Sequence, residues 1–207
     1  MYPVSIDVEP ALENRNRLTT AFRLILAVPH LILVGGLYAG FAFNNDGRRA
    51  IETEGGLIGA ATFFLAIVSW FTILFGNVHL EGIRSFTAFY LRWRVRAIAY
   101  FMLLRDEYPP FGDGPYPASI TIAPPSEPRD RLSVGLRIIY AIPHFIALFF
   151  ILLAWTVTTV IAWFAILFTA AYPASLYRFG VGAMTWWLRV EAYVLLMVDE
   201  YPPFALT

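Results

Sequence analysis

The sequence predicts an α-helical integral membrane protein made by tandem duplication, and three observations carry that prediction. Residues Arg131 to His144 repeat Arg17 to His30: Arg17 answers Arg131, Leu18 answers Leu132, Arg23 answers Arg137, and Pro29-His30 answers Pro143-His144, all at one offset of 114. The run from Ile138 to Tyr177 holds no formally charged residue, which suffices for two crossings of a hydrocarbon layer about 30 Å thick. The 207 residues are 58% hydrophobic and 17% aromatic, above the apolar share of ordinary globular chains.

Charge and composition exclude several chemistries. Net charge is zero, so no global field favours nucleic acid or acidic substrates. All 15 basic residues are Arg, which removes lysine Schiff bases and Walker-type phosphate binding. With no Cys, the chain forms no disulfide, thiolate nucleophile or Cys-ligated metal site. The opening M-Y-P-V-S-I-D-V-E-P lacks the basic and apolar regions of a signal peptide, so insertion is expected to use the first membrane helix.

Tyr2 to Pro10 alternates apolar Val4, Ile6 and Val8 with polar Ser5, Asp7 and Glu9, the period-two pattern of a short strand. Tyr116 to Pro124 copies it with Ala118, Ile120 and Ile122. A lone strand is unstable in water, so the two pair with each other or with another neighbour, unless each is an extended arm over the membrane part. The first long apolar segment is Leu18 to Phe43. A polar loop from Asn44 to Gly56 and a second segment, Leu57 to Leu80, follow. In the second repeat the pair is Leu132 to about Trp155 and Thr156 to Tyr172. Each repeat, 1–114 and 115–207, is thus expected to hold a hairpin of two transmembrane helices, four in all.

From Phe86, the residues Phe89, Tyr90, Trp93, Ala97, Tyr100, Phe101 and Leu104 recur at helical spacing, with Arg84, Arg92, Arg94 and Arg96 opposite or flanking that stripe. The expectation is an amphipathic helix in the membrane interface, because burying Arg92, Arg94 and Arg96 in a third span would cost about 7–10 kcal/mol. The second copy, from Phe179 to Met197 with Arg189 at its centre, is assigned by symmetry. These arginines are candidates for anionic lipid headgroups. Both helices end at the same words, Asp106-Glu107-Tyr108-Pro109-Pro110-Phe111 and Asp199-Glu200-Tyr201-Pro202-Pro203-Phe204, because adjacent prolines cannot continue a helix. Arginine placement and the positive-inside rule put both termini and both amphipathic helices in the cytoplasm, with the chain multi-pass in an inner membrane.

The chain resembles the DUF4389 family of bacterial membrane proteins. The residues that carry the resemblance are R-x-R-L-x(4)-R-x(5)-P-H in both repeats, W-F-x-I-L-F at Trp70 to Phe75 and Trp163 to Phe168, W-x-x-R-x-x-A-Y, and D-E-Y-P-P-F. The second copy fits better: where it has Tyr172-Pro173, the first has His79-Leu80. The resemblance implies a two-copy membrane architecture and supplies no catalytic residue.

Two constellations remain. His30 and His144 follow Pro29 and Pro143, which are expected to kink their helices, and lie two turns after Arg23 and Arg137 on the same face. They are candidates for a repeat-interface pair that binds metal or haem, relays protons, or caps the carbonyls of Ile25 and Ile139. Arg23 and Arg137, with Arg17 and Arg131 nearby, are expected to clasp the acidic pairs Asp106-Glu107 and Asp199-Glu200. No nucleophile, phosphate loop or metal-spaced cluster accompanies them. The expected function is a non-enzymatic scaffold or accessory subunit of a larger membrane assembly, with no cofactor, metal or nucleic-acid partner. The alternative is a small-molecule, ion or proton transporter or channel with its path between the repeats.

Overall fold

The computed structural model describes residues 2–36, 56–125 and 129–206. Among these the elements run β1 (Val4–Val8), α1 (Arg17–Ala21), α2 (Arg23–Val34), α3 (Gly56–Gly76), α4 (Glu81–Phe101), β2 (Ala118–Ile122), α5 (Arg131–Thr169) and α6 (Ala174–Val194). Asn16 caps α1 through its side chain on the Thr19 amide, and Asp130 caps α5 on the amides of Leu132 and Ser133. These caps occupy matching places in the two repeats and satisfy amides that the helices leave free.

The expected hairpin of the second repeat does not form. The segments Leu132–Trp155 and Thr156–Tyr172 belong to one unbroken helix, α5, of 39 residues, about 58 Å long at 1.5 Å per residue. No turn residue interrupts Leu152 to Ile161, and Thr156 and Thr158 return their hydroxyls to the carbonyls of Leu152 and Trp155, so the backbone bonds stay inside the helix. Among the described residues two helices, α3 and α5, are long and apolar enough to cross a membrane. Most of the expected loop of the first repeat, Asn44 onward, lies outside the described residues, as does the end of its first segment beyond Gly36.

What corresponds to α5 in the first repeat is α1 and α2 followed by α3. Val34 matches Leu148 at the offset of 114, and Gly56 matches Phe149 at the offset of 93 that holds from there on. Gly56 sits so close to the end of α2 that a Cβ on it would lie 2.5 Å from the Leu33 carbonyl carbon. The two pieces are collinear. Trp163 of α5 donates its indole N–H to the Thr20 carbonyl, and Trp70 of α3 donates to the Val134 carbonyl. Positions 134 and 163 are about 44 Å apart along α5, and a hairpin of α2 on α3 could not reach both. The chain therefore builds two rods side by side and antiparallel, one α1-α2-α3 and the other α5.

Helices α4 and α6 fold back along their own rods and meet each other. The strands pair antiparallel with Ile6 opposite Ile120, and those two residues are equivalent in the repeats, so the pseudo-twofold axis passes through the ribbon. The same axis stands normal to the plane of the antiparallel rods. The ribbon packs on α4 and α6, which pack on the rods. Three layers follow: rods, then α4 with α6, then ribbon.

Burial matches this order. From Tyr90 to Tyr100 only Arg92 of α4 is not buried, and α6 is buried at most positions from Gly182 to Tyr193. None of the large hydrophobic side chains left exposed lies on β1, β2, α4 or α6, while Leu24, Ile25, Phe64, Phe71, Ile139, Phe150 and Phe164 on the rods are all at least half exposed. The sequence reading expected α4 and α6 as amphipathic helices lying in the membrane interface with basic flanks; in the structure they are the middle layer, between rods and ribbon. Their buried arginines, Arg94 and Arg96, find partners within the chain in Glu191 and Asp113, so burial does not leave those charges uncompensated.

Candidate functional site

At the end of α4, Leu103 adopts φ 63, and at the end of α6 its equivalent Leu196 adopts φ 64. This left-handed residue turns the chain back and aims the following acid at the rod. Asp106 there receives Arg15 through Nε and Nη2 at 2.8 and 2.7 Å, Arg23 through Nη2 at 2.6 Å, and the Asn16 backbone N–H at 2.9 Å. Asp199 receives Arg129 through the same two nitrogens at 2.6 Å each and Arg137 at 2.6 Å. Arg23 also donates to the carbonyls of Tyr100 and Arg105, and Arg137 to those of Tyr193 and Val198. Burial opposes ionisation of Asp106, but the bonds from Arg15 and Asn16 and the charges of Arg15 and Arg23 outweigh it and hold the carboxyl at about 2. Asp199 is lowered in the same way by Arg129 and Arg137 against its burial.

Sequence reasoning paired these acids with Arg23 and Arg137 but also with Arg17 and Arg131, and it missed Arg15 and Arg129. Arg17 instead donates to the Phe168 carbonyl, and Arg131 is exposed at the start of α5. Glu107 pairs with Arg105 at 2.5 Å, and Glu200 is exposed, its backbone carbonyl accepting the Tyr2 hydroxyl. Neither glutamate joins a clasp. Arg15 and Arg129 obey the offset of 114 that links the recognised pairs, and that regularity was the signal available for them.

The clasps are capped across the repeats. The Arg15 guanidinium lies 5.7 Å from the Tyr172 ring, and Arg129 Nη1 lies 3.3 Å from His79 Nδ1. Tyr172 and His79 hold equivalent places in the two repeats, a place at which the two copies differ. Burial, with the charges of Arg129 and Arg84, pushes the His79 imidazole down to about 4.

The two remaining histidines do not meet. His30 Nδ1 accepts the Trp93 indole N–H at 3.0 Å, while its ring stacks on Phe111 at 4.5 Å and tilts against Tyr108. His144 repeats the cage with Trp186 at 3.1 Å, Phe204 at 4.0 Å and Tyr201. An accepting Nδ1 places the proton on Nε2, which is buried in both repeats. The expectation that these rings pair at the repeat interface, or cap Ile25 and Ile139, is corrected: each closes the D-E-Y-P-P-F turn of its own repeat. Pro29 and Pro143 lie within α2 and α5, which continue through them.

The arginines read as headgroup ligands are mostly committed inside the molecule. Arg94 is fully buried, donates to Glu191 at 2.9 Å and to the carbonyls of Val34 and Gly36, and stacks on Trp187. Arg96 donates to the Gly112 carbonyl, and Arg92 makes a two-pronged pair with Asp113. Arg84 pairs with Glu81, and Arg189 lies over the Tyr2 ring while donating to the Val4 carbonyl. A cavity of about 420 Å³ opens beside the second clasp, walled by Ile139, Tyr140, Pro143, Tyr193 and Tyr201 with Asp199 at its edge. Among the described residues no three His, Asp or Glu side chains gather as a metal site.

No curated protein matches the chain, and no solved structure matches it. One family model matches residues 55–112 and 131–205, more than half the sequence, in two segments that correspond to the two repeats. The clasps and histidine cages fall in the motifs through which the repeats agree, and the chain belongs to the DUF4389 family, whose description is "Domain of unknown function".

Proposed function

We propose that the protein is a membrane-resident, non-enzymatic module, a scaffold or accessory subunit for other membrane proteins, seated by contact with anionic lipid at the cytoplasmic face of an inner membrane. The observation that carries this reading is the division of labour between side chains. The buried arginines Arg15, Arg23, Arg94, Arg129 and Arg137 all hold acids or backbone carbonyls of the same chain, so they lock architecture. The exposed rod faces are apolar along their length, as a lipid-facing surface must be.

The transport alternative needs a polar path between the repeats. The residues proposed to line it, Arg23, Arg137, His30 and His144, are each closed within their own repeat, which favours the structural reading.

Flotation with vesicles tests the proposal. The purified protein should rise with vesicles containing phosphatidylglycerol, and proteoliposomes should show no proton flux above empty vesicles. A protein that stays at the bottom of the gradient as a soluble species sinks the membrane reading. Flux abolished by His30→Ala would replace it with the transport reading.

A further inference from the structure

We infer that the protein is monotopic: the two rods lie in the plane of one leaflet, with α4, α6 and the ribbon stacked above them on the aqueous side. The inference rests on the membrane residence proposed above and adds the orientation and the occupant of the apolar face, a single phospholipid leaflet.

Length is the first argument. The exposed apolar face runs from Leu132, 67% exposed, to Phe168, 76% exposed, on α5, and from Leu18 to Phe75 on the other rod. An upright rod about 58 Å long leaves nearly half of that face beyond a hydrocarbon layer about 30 Å thick. Fitting it within the layer requires a tilt of about 60°, outside the 0–40° range of transmembrane helices.

The layer order is the second argument. Because the pseudo-twofold axis is normal to the rods and passes through Ile6 and Ile120, the ribbon lies level with the middle of the rods. Its exposed Ser5, Asp7, Ser119 and Thr121 would stand at hydrocarbon depth if the rods were upright. With the rods flat, the axis becomes the membrane normal and the ribbon reaches water. The apolar face then sinks about 5–10 Å into the boundary between headgroups and acyl chains. Exposed Arg17 and Arg131, at the starts of the two rods, fall at opposite edges of that footprint, at the level of lipid phosphates.

The chain has no cysteine, so single cysteines report side without background. Gly82→Cys and Ser175→Cys occupy equivalent exposed positions at opposite rod ends, and Ser119→Cys reports the ribbon; nothing lies within 4 Å of a Cβ at Gly82. In spheroplasts and in inside-out vesicles, an impermeant maleimide should modify all three in one preparation, the inside-out one, and none in the other. Labelling of Gly82→Cys and Ser175→Cys from opposite sides overturns the flat orientation while leaving membrane residence intact. Recovery of the protein as a soluble dimer with all three sites reactive overturns the lipid occupant, and membrane residence with it.

Discussion

Arg94 and Trp187 hold the same place in the two repeats, and they meet: the Arg94 guanidinium carbon lies 4.7 Å from the centre of the Trp187 ring. Residues related by a twofold axis can touch only near that axis, so this stacked pair marks where α4 and α6 cross. Glu191, four residues after Trp187, takes Arg94 Nε at 2.9 Å and the Tyr90 hydroxyl at 3.0 Å. Its equivalent in the first repeat is Ile98. The duplicated halves are joined by an ion pair that only one arrangement of them can make.

Arg94→Met leaves the Glu191 carboxylate buried without its charge partner, and unfolding followed by circular dichroism in detergent should show a loss of about 3–5 kcal/mol. Adding Glu191→Leu to that variant should restore most of the loss. A double variant whose loss equals the sum of the two single losses would mean that the two residues act independently.

Each clasp holds two buried guanidinium groups on one carboxylate, whose single negative charge is the one acidic partner both share. Asp106→Asn and Asp199→Asn should each destabilise by about 3–5 kcal/mol. The clasps sit at opposite ends of the rods, so the double variant should show the sum to within about 0.5 kcal/mol. Strong departure from additivity in the same unfolding measurement would show that the ends are coupled.

Acid should unfold the protein through these carboxyls. Asp106 falls to about 2 in the folded chain from an unfolded value of about 3.9. Its contribution is therefore complete above the unfolded value and is lost as pH falls through about 2. In a pH series of midpoints, Asp106→Asn should flatten the limb below pH about 4; an unchanged limb would refute the assignment.

His79 produces a separate limb at milder pH. Its folded value of about 4 lies below the unfolded value of about 6.5, so the unfolded chain binds the extra proton first. Stability should be full above pH about 6.5 and decline down to about 4, as the imidazolium is opposed by Arg129 and Arg84. His79→Gln should remove this slope, with midpoints measured from pH 7 to 4 as the check.

Packing at α6 gives a contrast between two glycines. A Cβ at Gly180 would lie 2.7 Å from Trp155 Nε1, on a fully buried indole, whereas one at Gly82 meets nothing within 4 Å. Gly180→Ala should destabilise by about 1–3 kcal/mol through overpacking, and Gly82→Ala should be neutral or gain up to about 1 kcal/mol of helix propensity. Thermal midpoints of the two variants check both signs.

Much of the candidate site was legible because duplication prints it twice. The offset of 114 tied Arg23 to Arg137 and His30 to His144, and the repeated D-E-Y-P-P-F supplied the acids that Arg23 and Arg137 reach. The roles of the histidines were not legible, since a histidine after a proline in an apolar helix reads the same whether it faces another histidine or an indole. Trp93 and Trp186 lie far from them in sequence, and only the return of α4 and α6 along the rods brings Nε1 to Nδ1. The arginines of α4 misled for a related reason. An apolar stripe with basic flanks is the pattern of an interfacial helix, and it is also that of a buried helix whose partners, Glu191 and the carbonyls of Val34 and Gly36, come from elsewhere.

The duplication, the helical character and the ribbon strands are legible in the sequence alone, because each rests on local pattern: repeated words, period 3.6 and period two. The helix ends are not, since α4 and α6 stop at Phe101 and Val194, well before their Pro-Pro pairs. Only the tertiary structure decided that Leu132 to Thr169 stays a single rod, that the repeats lie antiparallel, and that α4 and α6 are inside. An apolar run of that length satisfies its own backbone whether it bends into a hairpin or runs straight. The choice falls to contacts between distant residues, Trp163 on Thr20 and Trp70 on Val134, which no window of sequence contains.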